Sequence, residues 1–229
     1  MKLKLIIMDS ALFFWRNLNQ IAVLCLPWLF AGAVVEYMVA VNQDAFGETP
    51  MYFAAWVFNM LLYPIYTAAL IHLMALQAQG KRPGNLELLR LALKSWHSLL
   101  ILHILSSVLF LCGLMLFVIP GLWVIVRLAF SQFYLVLEYL NPIEAIQKSF
   151  VTTRKHMATI FLLILVFLIP VFVLSLVIGQ LIAGIPQVQP IIVIAETILS
   201  FYVLFVYVLI FRVFMSAVKE APADPQESA

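Results

Sequence analysis

The chain has 229 residues, of which 65% are hydrophobic and 10% charged, with a formal net charge of +2. An ordinary soluble domain is about 45–50% apolar and roughly 25% charged, so there is too little polar surface here to cover a globule in water. The charge balance, with no basic run interleaved with aromatics, gives no footing for a nucleic-acid partner.

The first segment, "KLKLIIMDSALFFWRN", has apolar and polar sides and reads as a helix lying in the membrane interface. A first apolar run follows at 21–41. Its "AGA" at 31–33 mimics a signal-peptide cleavage site, but the run continues well past it, so we expect an uncleaved span. Five more runs, at 51–76, 99–118, 122–140, 160–182 and 191–214, complete six expected spans of about 20 residues each. Pro27, Pro64 and Pro170 fall inside spans, where kinks are expected.

The third and fourth spans are joined only by "IPG". Residues 96–138 would make roughly 64 Å of helix, enough for two crossings of about 30 Å with a tight turn at Pro120–Gly121. The alternative is a re-entrant loop that turns inside protein.

Charge sets the orientation. Twelve of the thirteen Lys and Arg residues fall before span one, between spans two and three, between four and five, or at the end of span six and beyond it. The opposite loops, "NQDAFGETP", "IPG" and "AGIPQVQP", have none. The positive-inside rule therefore puts both termini in the cytoplasm. Two further amphipathic segments lie on that side. "NLELLRLALKSWHS" carries Arg90 and Lys94 on one face and Trp96 on the other. "NPIEAIQKSFVTTRKH" opens with Asn141 as N-cap, Pro142 at N1 and Glu144 at N3, a strong helix start. Its Lys148, Arg154 and Lys155 are expected at lipid headgroups. Trp15, Trp96 and Phe150 would each end such a helix, so the chain has the outline of a threefold interfacial-helix and hairpin repeat. Residues 1–219 form one six-helix, all-α membrane domain, and "APADPQESA" is a disordered tail.

The basic residue left over is Arg127, inside span four. Counting 1.5 Å per residue, it lies about 9 Å from the outer turn. Glu36 in span one and Glu196 in span six fall at the same depth. Ionisable groups in the membrane are costly and usually face protein or a water-filled cavity. Arg127 is therefore expected to pair with Glu36, Glu196 or both. The layer would be a site for an anionic head group or a proton-coupled solute, or an ion pair that fixes helix register. The third reading has the side chains reach the interface separately. Glu138, at the inner end of span four, can reach water or Lys148. His72 and His103 lie in the inner halves of spans two and three, more in keeping with interhelical hydrogen bonds than with proton relay. Cys25 and Cys112 read as buried free thiols.

No metal-ligand spacing, nucleophile elbow or phosphate-binding glycine loop is present, so no catalytic residue, cofactor or metal is expected. The stretch "VIPGLWVIVRLAFSQFYLVLEYLNPIEAIQKSFVTTRKH" resembles the core signature of the YciC-like family of bacterial inner-membrane proteins. It is also similar to the membrane domain of some glycerophosphodiester phosphodiesterases. The residues that carry the resemblance are Pro120, Gly121, Pro142, Glu144, Ala145 and Ser149, and the ending "YVLIFRVFM" resembles the family's last helix. The resemblance implies an integral inner-membrane protein and brings no catalytic residues. The expected role is non-enzymatic: binding or organising membrane lipid, or a partner membrane protein, in the envelope. The rival is a small transporter or channel using the Glu36–Arg127–Glu196 layer.

Overall fold

A computed structural model describes residues 3–41, 48–182 and 189–220, which are helical with no strand among them. In chain order the elements are α1 (Leu3–Arg16), α2 (Leu18–Val41), α3 (Glu48–Ala78), α4 (Asn85–Leu116), α5 (Val118–Leu128), α6 (Ser131–Glu138) and α7 (Pro142–Thr153). Then come α8 (Met157–Leu163), a π-helical turn (Ile164–Leu168), α9 (Ile169–Ile182) and α10 (Gln189–Glu220). Six segments are long and apolar enough to cross a membrane: Leu18–Val39, Pro50–Ala78, Asn85–Leu116, Val118–Glu138, Met157–Ile178 and Val193–Glu220. The chain is a multi-pass membrane protein. The expected tail at 221–229 lies outside the described residues, as do 42–47 and 183–188 of the long loops.

Helices α2, α3 and α10 pack together, α4 packs on α3, and α5 returns along α4. Large apolar side chains are exposed all round this bundle, Leu61, Ile101, Phe172 and Ile198 among them. In water that surface would aggregate; against lipid it is the expected exterior.

The amphipathic segment at 85–98 is not a separate interfacial helix. It is the first half of α4, a single 32-residue helix. No Gly or Pro stands between Asn85 and Leu99 to stop it, and Leu88, Ala92, Ser95, Leu99 and Leu102 form one buried seam along it. Trp96 is tied inward, its indole N–H donating to the Leu61 carbonyl of α3 at 3.0 Å. Helices α1 and α7 are separate from the six spans, so two of the three expected amphipathic segments form helices of their own. At the end of α1 the Asn17 side chain donates to the Phe13 carbonyl at 2.8 Å, competing with the helix ladder. Helix α1 also packs sideways, with Phe14 edge-on to Phe201 and Phe205 of α10.

The hairpin turn differs from the expected one. Pro120 and Gly121 lie inside the first turn of α5, and the chain reverses at Phe117, whose backbone is extended. Proline is tolerated there because the first N–H groups of a helix have no intrahelical acceptor. Gly121 serves close packing: a Cβ on Gly113 would lie 3.0 Å from the Gly121 Cα and 3.2 Å from the Pro120 carbonyl oxygen. The tip is wholly apolar, with Met115 89% and Ile119 79% exposed. Helix α4, at about 48 Å, is long enough to carry this tip across a hydrocarbon core of about 30 Å.

The fourth span is broken. Helix α5 ends at Leu128 and α6 begins at Ser131, with no proline or glycine at the junction. In the fifth span the π-turn at Ile164–Leu168 precedes Pro170, where a missing donor must be absorbed. Both cysteines are free, but only Cys25 is buried; Cys112 is exposed on α4.

Candidate functional site

The break in the fourth span positions Arg127. Ending a helix inside a membrane protein strands carbonyls and N–H groups that water cannot reach. Helix α7 supplies the partners. Ser149 Oγ donates to the Arg127 carbonyl at 2.6 Å and accepts from the Phe130 N–H at 3.2 Å, so one hydroxyl bridges the gap. Ser131 Oγ donates to the Leu128 carbonyl at 2.7 Å. Helix α7 comes this close because Ala145, Ser149 and Thr153, four residues apart, are all small and completely buried. Its start is the expected capping box: Asn141 Oδ1 accepts from the Glu144 N–H at 3.0 Å, and Glu144 Oε2 from the Asn141 N–H at 3.4 Å. Beyond the break, α6 drives Phe133 and Tyr134 into a ring cluster with Phe211 and Phe214 of α10. Pro142, Glu144, Ala145 and Ser149 thus form and seat one helix, and that helix satisfies the break.

Arg127 itself does not pair with Glu36 or Glu196. Its guanidinium lies over the rings of Trp123, at 5.3 Å, and Phe150, at 5.0 Å. Helix α5 packs on α4, α7 and α8, whereas Glu36 belongs to α2 and Glu196 to α10. Counting residues gave a height along the span but not the direction the side chain faces. Nε and Nη1 of Arg127 are buried without a hydrogen-bond partner, and the charged neighbour that acts on it is Arg154, another cation. Trp123, one of the two rings under it, is an exposed apolar side chain, as expected of a surface that meets lipid. Among the remaining interface residues, Lys148 pairs with Glu138 and lies 4.8 Å over the Tyr134 ring. Arg90, Lys94, Arg154 and Lys155 are exposed.

The two glutamates do meet. They share a cavity of about 230 Å³ between α2, α3 and α10. Glu36 accepts from Asn59 Nδ2 at 2.8 Å, and Glu196 from Ser175 Oγ at 3.0 Å. Gly32 makes room for this, since a Cβ there would meet Asn59 Oδ1 at 2.2 Å. On the wall of the same cavity the hydroxyls of Tyr63 and Tyr207 are hydrogen-bonded to each other. Gln132 Nε2 donates to the Tyr63 hydroxyl at 2.6 Å. His103 stacks on Tyr63 at 4.3 Å, while His72 is buried with its Nε2 unpaired, so the two histidines make no pair. Asn59, Tyr63, Tyr207 and Gln132 were not singled out from the sequence; each is a polar residue within an apolar run, the one signal that could have marked it.

A second cavity, of about 900 Å³, opens at the other end of the same three helices, closed on its side by α1. It is lined by Arg16, Lys81, Arg82, Arg212 and Lys219. Tyr207 lines the first cavity and Val208 the second. Ile21, Leu24, Cys25, Leu70 and Ile71, all buried, fill the space between.

Among the described residues no group of three or more His, Cys, Asp or Glu could hold a metal ion. No family model, no curated protein and no solved structure matches this chain.

Proposed function

We propose that the chain is a non-enzymatic protein of the bacterial inner membrane, with both termini in the cytoplasm, that binds and organises anionic phospholipid. The observation that carries this reading is Arg127: a half-buried guanidinium seated on two aromatic rings, one of them the exposed Trp123, with no carboxylate partner among the described residues and a second cation as its charged neighbour. A structural arginine would be matched by a carboxylate. None among the described residues is paired with this one, and a phosphate diester reaching the uncovered edge of the guanidinium would supply the missing anion. The positive-inside rule supports the orientation. With α7 at the cytoplasmic headgroups, Arg127 and Arg154 would serve the inner leaflet, as basic sites between membrane helices do for acidic lipids. The resemblance of 118–156 to YciC-like proteins supports the inner-membrane assignment, and the seating of α7 gives its Pro, Glu, Ala and Ser positions a physical purpose.

The test is mass spectrometry of lipids retained by the full chain in native lipid discs. The expected result is enrichment of an anionic phospholipid, reduced several-fold in Arg127→Leu and less in Arg127→Lys. Equal enrichment in the wild type and Arg127→Leu would remove this reading.

The stacked cavities favour a second reading, a small transporter. Two vestibules lie between the same three helices, and the plug from Tyr66 to Met74 is only about 12 Å thick. Cysteine placed at Ser200 or Gln77 would then change its labelling from each side when pH or solute changes. Constant labelling speaks for the lipid-binding protein.

A further inference from the structure

The larger cavity has features that the Arg127 reading does not use. Five basic side chains line it, and the carboxylate there is Asp9. Among the described residues none of the five is in an ion pair. Gathering like charges around one space is unfavourable unless an anion joins them.

The walls are built in advance of any ligand. Helix α3 ends in a Schellman motif: Lys81 N–H donates to the Leu76 carbonyl at 3.0 Å and Gly80 N–H to the Gln77 carbonyl at 2.9 Å. Gly80 has φ +78°, which its missing Cβ permits. The following turn is fastened to α2, because Gln20 Nε2 donates to the Pro83 carbonyl at 2.8 Å and to Asn85 Oδ1 at 3.2 Å. Lys81 and Arg82 therefore stand on a fixed loop. Opposite them, Arg212 is half-buried with its guanidinium 5.6 Å over the Phe13 ring, which holds the fork in place. Preorganised donors bind an anion without first paying for their own ordering.

Volume narrows the ligand. Small-molecule sites run to about 300–1,000 Å³, and this cavity, at about 900 Å³, exceeds the needs of a lone phosphate. Phe13, Met74 and Phe211 provide apolar wall for an organic body.

We propose that this cavity is a binding site for a terminal phosphate group carried on a small organic body, with Lys81, Arg82 and Arg212 as the principal donors. Two sources share that chemistry: a soluble phosphomonoester, and a phosphatidic-acid headgroup entering from the adjoining leaflet. The site shares no residue with the lipid-facing surface at Arg127, and either can fail without the other.

The test uses the full chain in phosphatidylcholine nanodiscs. Calorimetric titration with glycerol 3-phosphate is expected to show saturable binding, weakened about tenfold or more in Lys81→Gln/Arg82→Gln and in Arg212→Gln. Lys4→Gln, which removes a charge outside the cavity, is expected to bind normally. The double variant changes only exposed loop residues, so it remains informative if Arg212→Gln misfolds. Binding absent with glycerol 3-phosphate, but seen as retention of phosphatidic acid doped into the discs and lost in the same variants, assigns the lipid source. Saturable binding of neither, or binding unchanged in the loop variant, overturns the proposal.

Discussion

Ser149→Ala tests the account of the broken span most directly. The substitution removes one oxygen from a completely buried side chain, so it leaves almost no cavity. It deprives the Arg127 carbonyl and the Phe130 N–H of their shared partner. Interhelical side-chain hydrogen bonds in membranes average about 0.6 kcal/mol and reach about 1.7. Two such bonds set a range of about 1.2–3.4 kcal/mol. Because the groups lie at a helix break, with no ladder position to fall back on, we expect about 2 kcal/mol, within the ~1–3 kcal/mol cost of stranding a single buried group. The assay is reversible unfolding of the full chain in mixed detergent micelles. Ser106→Ala, on the half-exposed side of α4, is the comparison and should stay within about 0.5 kcal/mol of the wild type. If Ser149→Ala cost no more than Ser106→Ala, the bridging hydroxyl would not be what stabilises the break.

Gly113→Ala should destabilise by about 1–3 kcal/mol in the same assay, because its Cβ would meet backbone atoms of Pro120 and Gly121 that cannot move aside. Gly84→Ala, with open space around it and φ −77°, should be nearly neutral. Gly32→Ala should push Asn59 off Glu36 and cost about 1 kcal/mol. In a double variant with Asn59→Ala the two costs should not add, and additive costs would mean that Gly32 acts elsewhere. Lys148→Ala should cost less than about 1 kcal/mol, since both members of its pair with Glu138 are substantially exposed; a larger loss would point to the contact with Tyr134 instead.

The sequence by itself determined the elements that depend on local chemistry and on the solvent. Apolar length named the six spans, because a lipid core accepts only runs of sufficient length with every backbone group bonded. The start of α7 was legible to the residue, because Asn141, Pro142 and Glu144 satisfy one another within a single turn. The heights of Glu36 and Glu196 were legible too, since rise along a helix is fixed, and the two do share a cavity. What only the tertiary structure decided was which way side chains face and where helices stop without a breaker. Arg127 does not join the two glutamates but sits on Trp123 and Phe150, because α5 is turned toward α7 rather than toward α2 and α10. Its span breaks at Ala129–Phe130 because Ser149, from a helix that comes later in the chain, supplies the hydrogen bonds that make a break tolerable. Conversely α4 runs on through the expected interface, since nothing local ends it and its buried seam continues against its neighbours. The basic cavity was hidden for the same reason: Arg16, the Lys81–Arg82 pair and Arg212 lie far apart in the chain, and only the packing of α1, α2, α3 and α10 turns them around one space.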